Sequence, residues 1–149
     1  TRDASSVESG VEDLVVLKSA QSGFVGFIKD AYTTLPEASD RIFATSIKAG
    51  WRYPNADDAT DEVFHGIRRT ILRTFADHDS LSVQHTLYAI GEAVLAEFSQ
   101  IDEIAFSLPN IHCMPVDVTK FGVDDKNCIF IPTDEPHGLI EARMRRDSD

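Results

Sequence analysis

Residues 42–53 read IFATSIKAGWRY, and Phe43, Thr45, Ile47, Ala49, Trp51 and Tyr53 alternate with smaller or polar partners. Alternation sends successive side chains to opposite faces of a pleated strand, so this stretch is a long, half-buried strand, closed by Pro54-Asn55. Downstream the period changes. Val63, Ile67, Ile71 and Phe75 recur every four residues and predict one apolar helix face over residues 60–76. Leu87, Ile90, Val94 and Phe98 predict a second helix, capped by Ser80 or Ser82.

Short β-branched and apolar runs flank this centre. LVVLKS (residues 14–19) reads as a strand, FVGFI (24–28) as a brief extended piece, and YTTLPEASD after it as turn chemistry. Ile104, Phe106 and Leu108 alternate in a strand that runs up to Pro109. CIFIP (128–132) is short and apolar, and Ile140, Ala142 and Met144 share one face of a last strand. The order strand, strand, two helices, strand, strand predicts an α+β fold: an antiparallel four-stranded sheet with a pair of helices on one face. Residues 1–10 read as a linker or the remainder of a preceding domain, and residues 11–149 as one folded domain.

The chain has 149 residues, 42% hydrophobic and 26% charged, which suits one domain with a sizeable core. No apolar run approaches the ~20 residues of a membrane helix, so no membrane partner is expected. A net charge of −11 argues against nucleic acid, whose phosphates need cationic contacts. Arg143, Arg145 and Arg146 form the one basic cluster and read as the solvated end of a strand. Cys113 and Cys128 are too few for a disulfide scaffold and fit a reducing compartment. His65, His78, His85, His112 and His137 form no HExxH or other close ligand spacing, and there is no CxxC, so no metal is expected. His65 and His78 read as solvated helix residues. A Gly-rich phosphate loop and a GxSxG nucleophile motif are both absent.

Six positions carry the chemistry. Arg41 presents a planar fork suited to two parallel hydrogen bonds, or to a surface ion pair with Asp40 or Glu37. Gln84 offers donor and acceptor on one amide, or is an exposed helix residue. Val83 lies in the same first helical turn, where a main-chain N–H lacks an intrahelical partner and the dipole favours an anion; its side chain suits the core. Phe24 can stack on a flat heterocycle or pack in the core, as Phe27 is expected to do. Asn110 and His112 lie two apart beyond Pro109 and share a face of an extended strand. By themselves they read equally as a turn residue and a satisfied buried histidine.

The motifs VESGVEDLVVLKS (7–19), SGFVGFIKDAYTTLPEASDR (22–41), WRY (51–53), SVQHTLY (82–88), IDEIAFSLPNIH (101–112) and PHGLIEA (136–142) together resemble the urate oxidase (uricase) family, specifically the C-terminal half of its subunit. The resemblance implies the tunnelling fold (T-fold), two such domains per subunit, and a homotetramer enclosing a tunnel with active sites between subunits. It implies oxidation of urate by O2 and water to 5-hydroxyisourate and hydrogen peroxide, without a cofactor. Arg41, Gln84 and the Val83 N–H would grip urate, and Phe24 would stack on it. Asn110 would hold O2 or water, and His112 would belong to a proton relay. The family's relay also uses a Lys and a Thr of an N-terminal urate oxidase domain, which lie outside this sequence. The alternative is a non-catalytic T-fold assembly module that needs a separate N-terminal half. The terminal RRDSD differs from an SKL-type peroxisomal signal, so a bacterial cytoplasmic protein is expected.

Overall fold

Phe43, Thr45, Ile47, Ala49, Trp51 and Tyr53 are all buried, as the alternation requires, and their strand lies inside the sheet. The computed structural model describes residues 6–123, 128–133 and 136–146. In chain order these form β1 (Val7–Lys18), β2 (Phe43–Tyr53), α1 (Asp61–Asp77), α2 (Val83–Glu97), β3 (Glu103–Pro115), β4 (Phe130–Thr133) and β5 (Leu139–Arg145). Every strand pair is antiparallel. β2 lies between β1 and β3, and β3 carries β5 beside its first half and β4 beside its second. The expected four-stranded sheet is therefore β1-β2-β3-β5, and the apolar run at residues 128–132 contributes a fifth, short strand that begins at Phe130.

Both helices pack on one face. Ile67, Ile71 and Phe75 of α1 and Val83, Leu87, Ile90 and Val94 of α2 close over the odd-numbered residues of β2 and over Ile104, Phe106 and Leu108 of β3. Gly91 allows the closest approach, because a Cβ there would sit 2.1 Å from the Met144 sulfur of β5. Burying the Trp51 indole leaves its N–H in need of a partner, and it donates to the Tyr53 hydroxyl at 2.8 Å.

Two strands are longer than their patterns suggested. β1 begins at Val7, within the stretch read as linker, and Val7–Val11 lie opposite Ala49–Tyr53. A bulge between Val11 and Leu14, with Asp13 at φ 55°, shifts the core-facing residues from Val7 and Val11 to Leu14 and Val16. β3 continues through Pro109 to Pro115, pairing with β4 beyond the proline. Phe27 lies outside the core and stacks on Phe24 with ring centroids 4.5 Å apart.

The helix ends explain two of the cations. Thr60 and Ser82 cap the N-termini, accepting from the N–H groups of Val63 (3.4 Å) and His85 (3.1 Å). Neither helix has a basic residue in its last turn, so the negative dipole end and the open carbonyls must be met from elsewhere. Lys18, at the end of β1, donates to the carbonyls of Phe75 (3.3 Å), Ala76 (3.3 Å) and His78. Burial draws its ammonium below the ordinary lysine value, and the carboxylates of Asp79 and Asp77 oppose that shift. Arg146, just past β5, donates to Leu95, Phe98 (3.1 Å) and Ile101 (3.5 Å). Arg143 and Arg145 pair instead with Glu103, so the basic cluster divides between a helix terminus and an ion-paired edge.

Replacing Lys18 by Met keeps the stem and deletes three charge-assisted bonds at a helix C-terminus. Stability should fall by about 1–3 kcal/mol, measured from the denaturant midpoint; an unchanged midpoint would contradict this role.

Candidate functional site

The end of the sandwich where β2 begins is assembled from segments far apart in the chain. The run after β1 is bound to the loop that opens α2: Ser80 N–H donates to Gln21 O at 2.9 Å, Gly23 N–H to Ser80 O at 2.7 Å, and Val25 N–H to Leu81 O at 3.2 Å. Phe24 and Ala38 exchange backbone hydrogen bonds of 2.6 and 3.0 Å, which closes the excursion between them. Arg41 N–H donates to Ser22 O at 3.1 Å, and its side-chain Nε donates to Gly23 O at 2.8 Å. Phe24, Arg41 and the first turn of α2 are thereby parts of one bonded unit.

Arg41 is half-buried, and its guanidinium carbon lies 5.8 Å from the Phe24 ring centroid and 5.4 Å from that of Phe43. It makes no ion pair among the described residues. Glu37 is taken by Lys29 at 2.9 Å and by the Gly26 N–H at 3.1 Å. Burial alone lowers the Arg41 pKa from its ordinary value, with no carboxylate compensating, and its Nη2 is buried without a hydrogen-bond partner. A buried cation in this condition is costly, and an arriving anion relieves the cost. Phe27 backs one face of the Phe24 ring, which closes that face to a flat ligand.

In α2, Val83 buries its side chain, whereas Gln84 is exposed beside it. The first intrahelical bond runs from Thr86 N–H to Ser82 O, so the N–H groups of Val83 and Gln84 precede it and have no partner among the described residues. Ser82 is the cap. Ser80, the other expected cap, is fully buried instead, accepts from the Thr86 hydroxyl at 2.7 Å and donates to Ser82 O at 3.1 Å. His78 departs from its expected solvated role, ending α1 as its C-cap with Nε2 at 3.2 Å from His85 Nδ1. His65 remains an exposed helix residue, edge-on to Phe64.

Asn110 and His112 lie on β3, half-buried, in the alternation that places Ile104, Phe106 and Leu108 toward the helices. Asn110 is opposite Thr45 of β2, and its N–H donates to Gly138 O at 2.8 Å. His112 is opposite Thr133 of β4. No hydrogen bond among the described residues joins this pair directly to Arg41 or Gln84, so the site is two half-sites at one end of the sandwich. Three buried side-chain atoms lack hydrogen-bond partners among the described residues: Ser22 Oγ, Arg41 Nη2 and Thr45 Oγ1, all at this end. Ser22 escaped the sequence reading, which took Ser80 only as a possible cap and Thr45 only as a strand residue, because short hydroxylated side chains carry no motif signal of a site. Among the described residues no three His, Cys, Asp or Glu side chains gather as a metal site.

The chain is thus an α+β sandwich that carries a half-buried arginine and an open helix start at one end. The family is fixed by comparison. The model of the family described as Uricase matches residues 7–141, and the chain belongs to the uricase family. It is 45% identical over 141 residues to a uricase of Arthrobacter globiformis, spanning 95% of this chain and 47% of that protein. With a rabbit (Oryctolagus cuniculus) uricase it shares 44% over 146 residues, 94% of this chain and 49% of the other. The crystal structure of the Arthrobacter globiformis uricase superposes with a TM-score of 0.92 at 44% identity, covering 97% of this chain and 50% of that one. Bacillus sp. TB-90 urate oxidase superposes with a TM-score of 0.79 at 29% identity over 94% of this chain and 47% of its own. The fold is thus the T-fold of uricases, and the chain spans about half the length of the curated relatives it matches.

The His78 pKa is lowered by burial first, then by His85 and Lys18, with Asp79 opposing. The folded state therefore takes up this proton less readily than the unfolded chain. The sign follows: stability is fully present above the ordinary histidine value of ~6.5 and is lost as pH falls below it toward the depressed folded value. His78→Gln should flatten the acid side of a stability–pH profile taken by thermal unfolding, whereas an identical slope would exclude His78 as its source.

Proposed function

We propose that this chain is the substrate-clamping half of a urate oxidase. The observation that supports this most is the charge state of the site: in a chain of net charge −11, a half-buried guanidinium without a carboxylate partner faces the same end as an unfilled helix N-terminus. Urate, a flat and largely monoanionic purine trione at neutral pH, matches both features. Arg41, with Nε committed to Gly23 O, offers its remaining donors to a ring carbonyl and the adjacent nitrogen. Gln84 pairs with an imide-like edge, the Val83 N–H adds a donor, and Phe24 sets the ring plane through its open face. Asn110 holds O2 or water above the ring, and His112 moves protons between that position and solvent or partner groups.

The reaction balances as urate plus O2 plus water giving 5-hydroxyisourate plus hydrogen peroxide. Deprotonated urate is electron-rich and supplies the two electrons that reduce O2, so we propose that neither flavin nor metal takes part. The rest of the proton relay comes from an N-terminal urate oxidase domain, and the outer edges of β1 and β5, each paired on one side only among the described residues, are continued by neighbouring domains of a homotetramer. A non-catalytic assembly role is the competing reading, favoured by the half-length match alone.

In the complete enzyme, Arg41→Ala should weaken binding of an unreactive urate analogue by about tenfold or more, the equivalent of losing about 1.5–3 kcal/mol of charge-assisted hydrogen bonding. Arg41→Lys should restore only part, since a point charge lacks the fork. Normal urate oxidation by both variants would refute the assignment. His112→Ala should leave analogue affinity nearly intact and lower kcat by about 10²–10⁴. Weaker analogue binding with unchanged kcat would make His112 a binding residue instead.

A further inference from the structure

Thr45 is fully buried in β2, and its hydroxyl has no hydrogen-bond partner among the described residues. Such a group is rare in a folded interior, because it forfeits its bonds to water and gains nothing in return. Its surroundings narrow the explanation. Along β2 its same-face neighbours are Phe43 and Ile47, and across the sheet on one side it faces Val16 of β1. None of these side chains can accept or donate. On the other side its register partner is Asn110 of β3. Directly opposite residues of an antiparallel pair present their side chains on one face with Cβ atoms about 4.5–5.5 Å apart, a span that a hydroxyl and a carboxamide bridge by rotation about χ1 and χ2. A valine, nearly the same shape, would fill this position without an orphaned polar atom.

We propose that Thr45 is a positioning residue for Asn110: its hydroxyl hydrogen-bonds the Asn110 carboxamide when urate is bound and fixes the amide that holds O2 or water over the ring. The inference rests on the urate oxidase reading and adds a residue to that site. Thr45 is well suited to act from behind the ligand, since it is wholly enclosed, whereas Asn110 opposite it is half-buried. The hydroxyl is both donor and acceptor, so it can meet either end of the amide. The bond forms as the amide turns onto its load.

The test is Thr45→Val in the complete enzyme, with Thr45→Ser as the conservative control and thermal unfolding measured beside kinetics. The proposal expects opposite movements. Removing an unpartnered buried hydroxyl should leave the Tm equal or higher, while kcat falls at least about tenfold, within the roughly 10²-fold cost of misplacing a reacting group by 1 Å. Analogue affinity should change less than kcat, because Phe24, Arg41 and Gln84 are untouched, and Thr45→Ser should recover most of kcat. A purely structural hydroxyl would instead lower the Tm, with kcat intact. Wild-type kcat in a stable Thr45→Val enzyme would overturn the proposal and leave the urate oxidase reading standing. A wild-type complete enzyme that does not oxidise urate would remove that reading and the proposal together.

Discussion

Two backbone hydrogen bonds, Gly23 N–H to Ser80 O and Val25 N–H to Leu81 O, make the site possible. They join the excursion after β1 to the loop before α2, and Arg41 is tied into the same segment through Ser22 O and Gly23 O. A ring plate, a forked cation and a helix start then keep fixed relative positions, with the Arg41 guanidinium carbon 5.8 Å from the Phe24 ring centroid. Loops usually gain definition from side chains packed beneath them. Here the definition comes from the main chain, reinforced by the buried Ser80–Thr86 hydroxyl pair. Conformational freedom of this segment is spent in folding, so a ligand meets a largely prepared surface.

Charge is arranged with the same economy. The acidic residues far outnumber the basic ones, yet the cations that matter are placed by the fold. Lys18 and Arg146 sit on the negative ends of α1 and α2, and Arg41 stays without a carboxylate near the positive end of α2. Local placement, rather than net charge, decides what this end of the molecule can bind. Among the described residues, three unsatisfied polar atoms in the same region mark where the interior departs from full hydrogen bonding, and departures of that kind concentrate where function needs them.

Much of this was legible in the chain. The alternation from Phe43 to Tyr53 marks β2, and the four-residue recurrences mark both helices, because in each the burial pattern follows one unbroken period. The start of β1 was hidden by the bulge at Asp13, which reverses the facing of every residue before it and so cancels alternation across the strand. The second half of β3 was hidden by Pro109, which removes a backbone donor and usually ends a central strand; β5 pairs with the strand up to Pro109 and β4 takes over beyond it. For the site, residue chemistry alone left each candidate with a second reading, and the family motifs chose among them. Proximity of Phe24, Arg41 and α2 is a tertiary fact that no periodicity encodes. Thr45 was invisible for a different reason: within a β-branched strand a threonine reads as a core residue, and only an empty hydrogen-bond position distinguishes it.

The central proposal is that this chain holds the clamp and that the N-terminal half of a uricase supplies the rest of the proton relay. Oxygen uptake in the presence of urate tests it most directly, recorded for residues 1–149 alone and after assembly with the N-terminal half of a uricase. The account predicts no uptake by the chain alone and urate-dependent uptake, one O2 per urate lost, once the two halves are joined. Turnover by the isolated chain, or a fully assembled pair that consumes no oxygen, would contradict it.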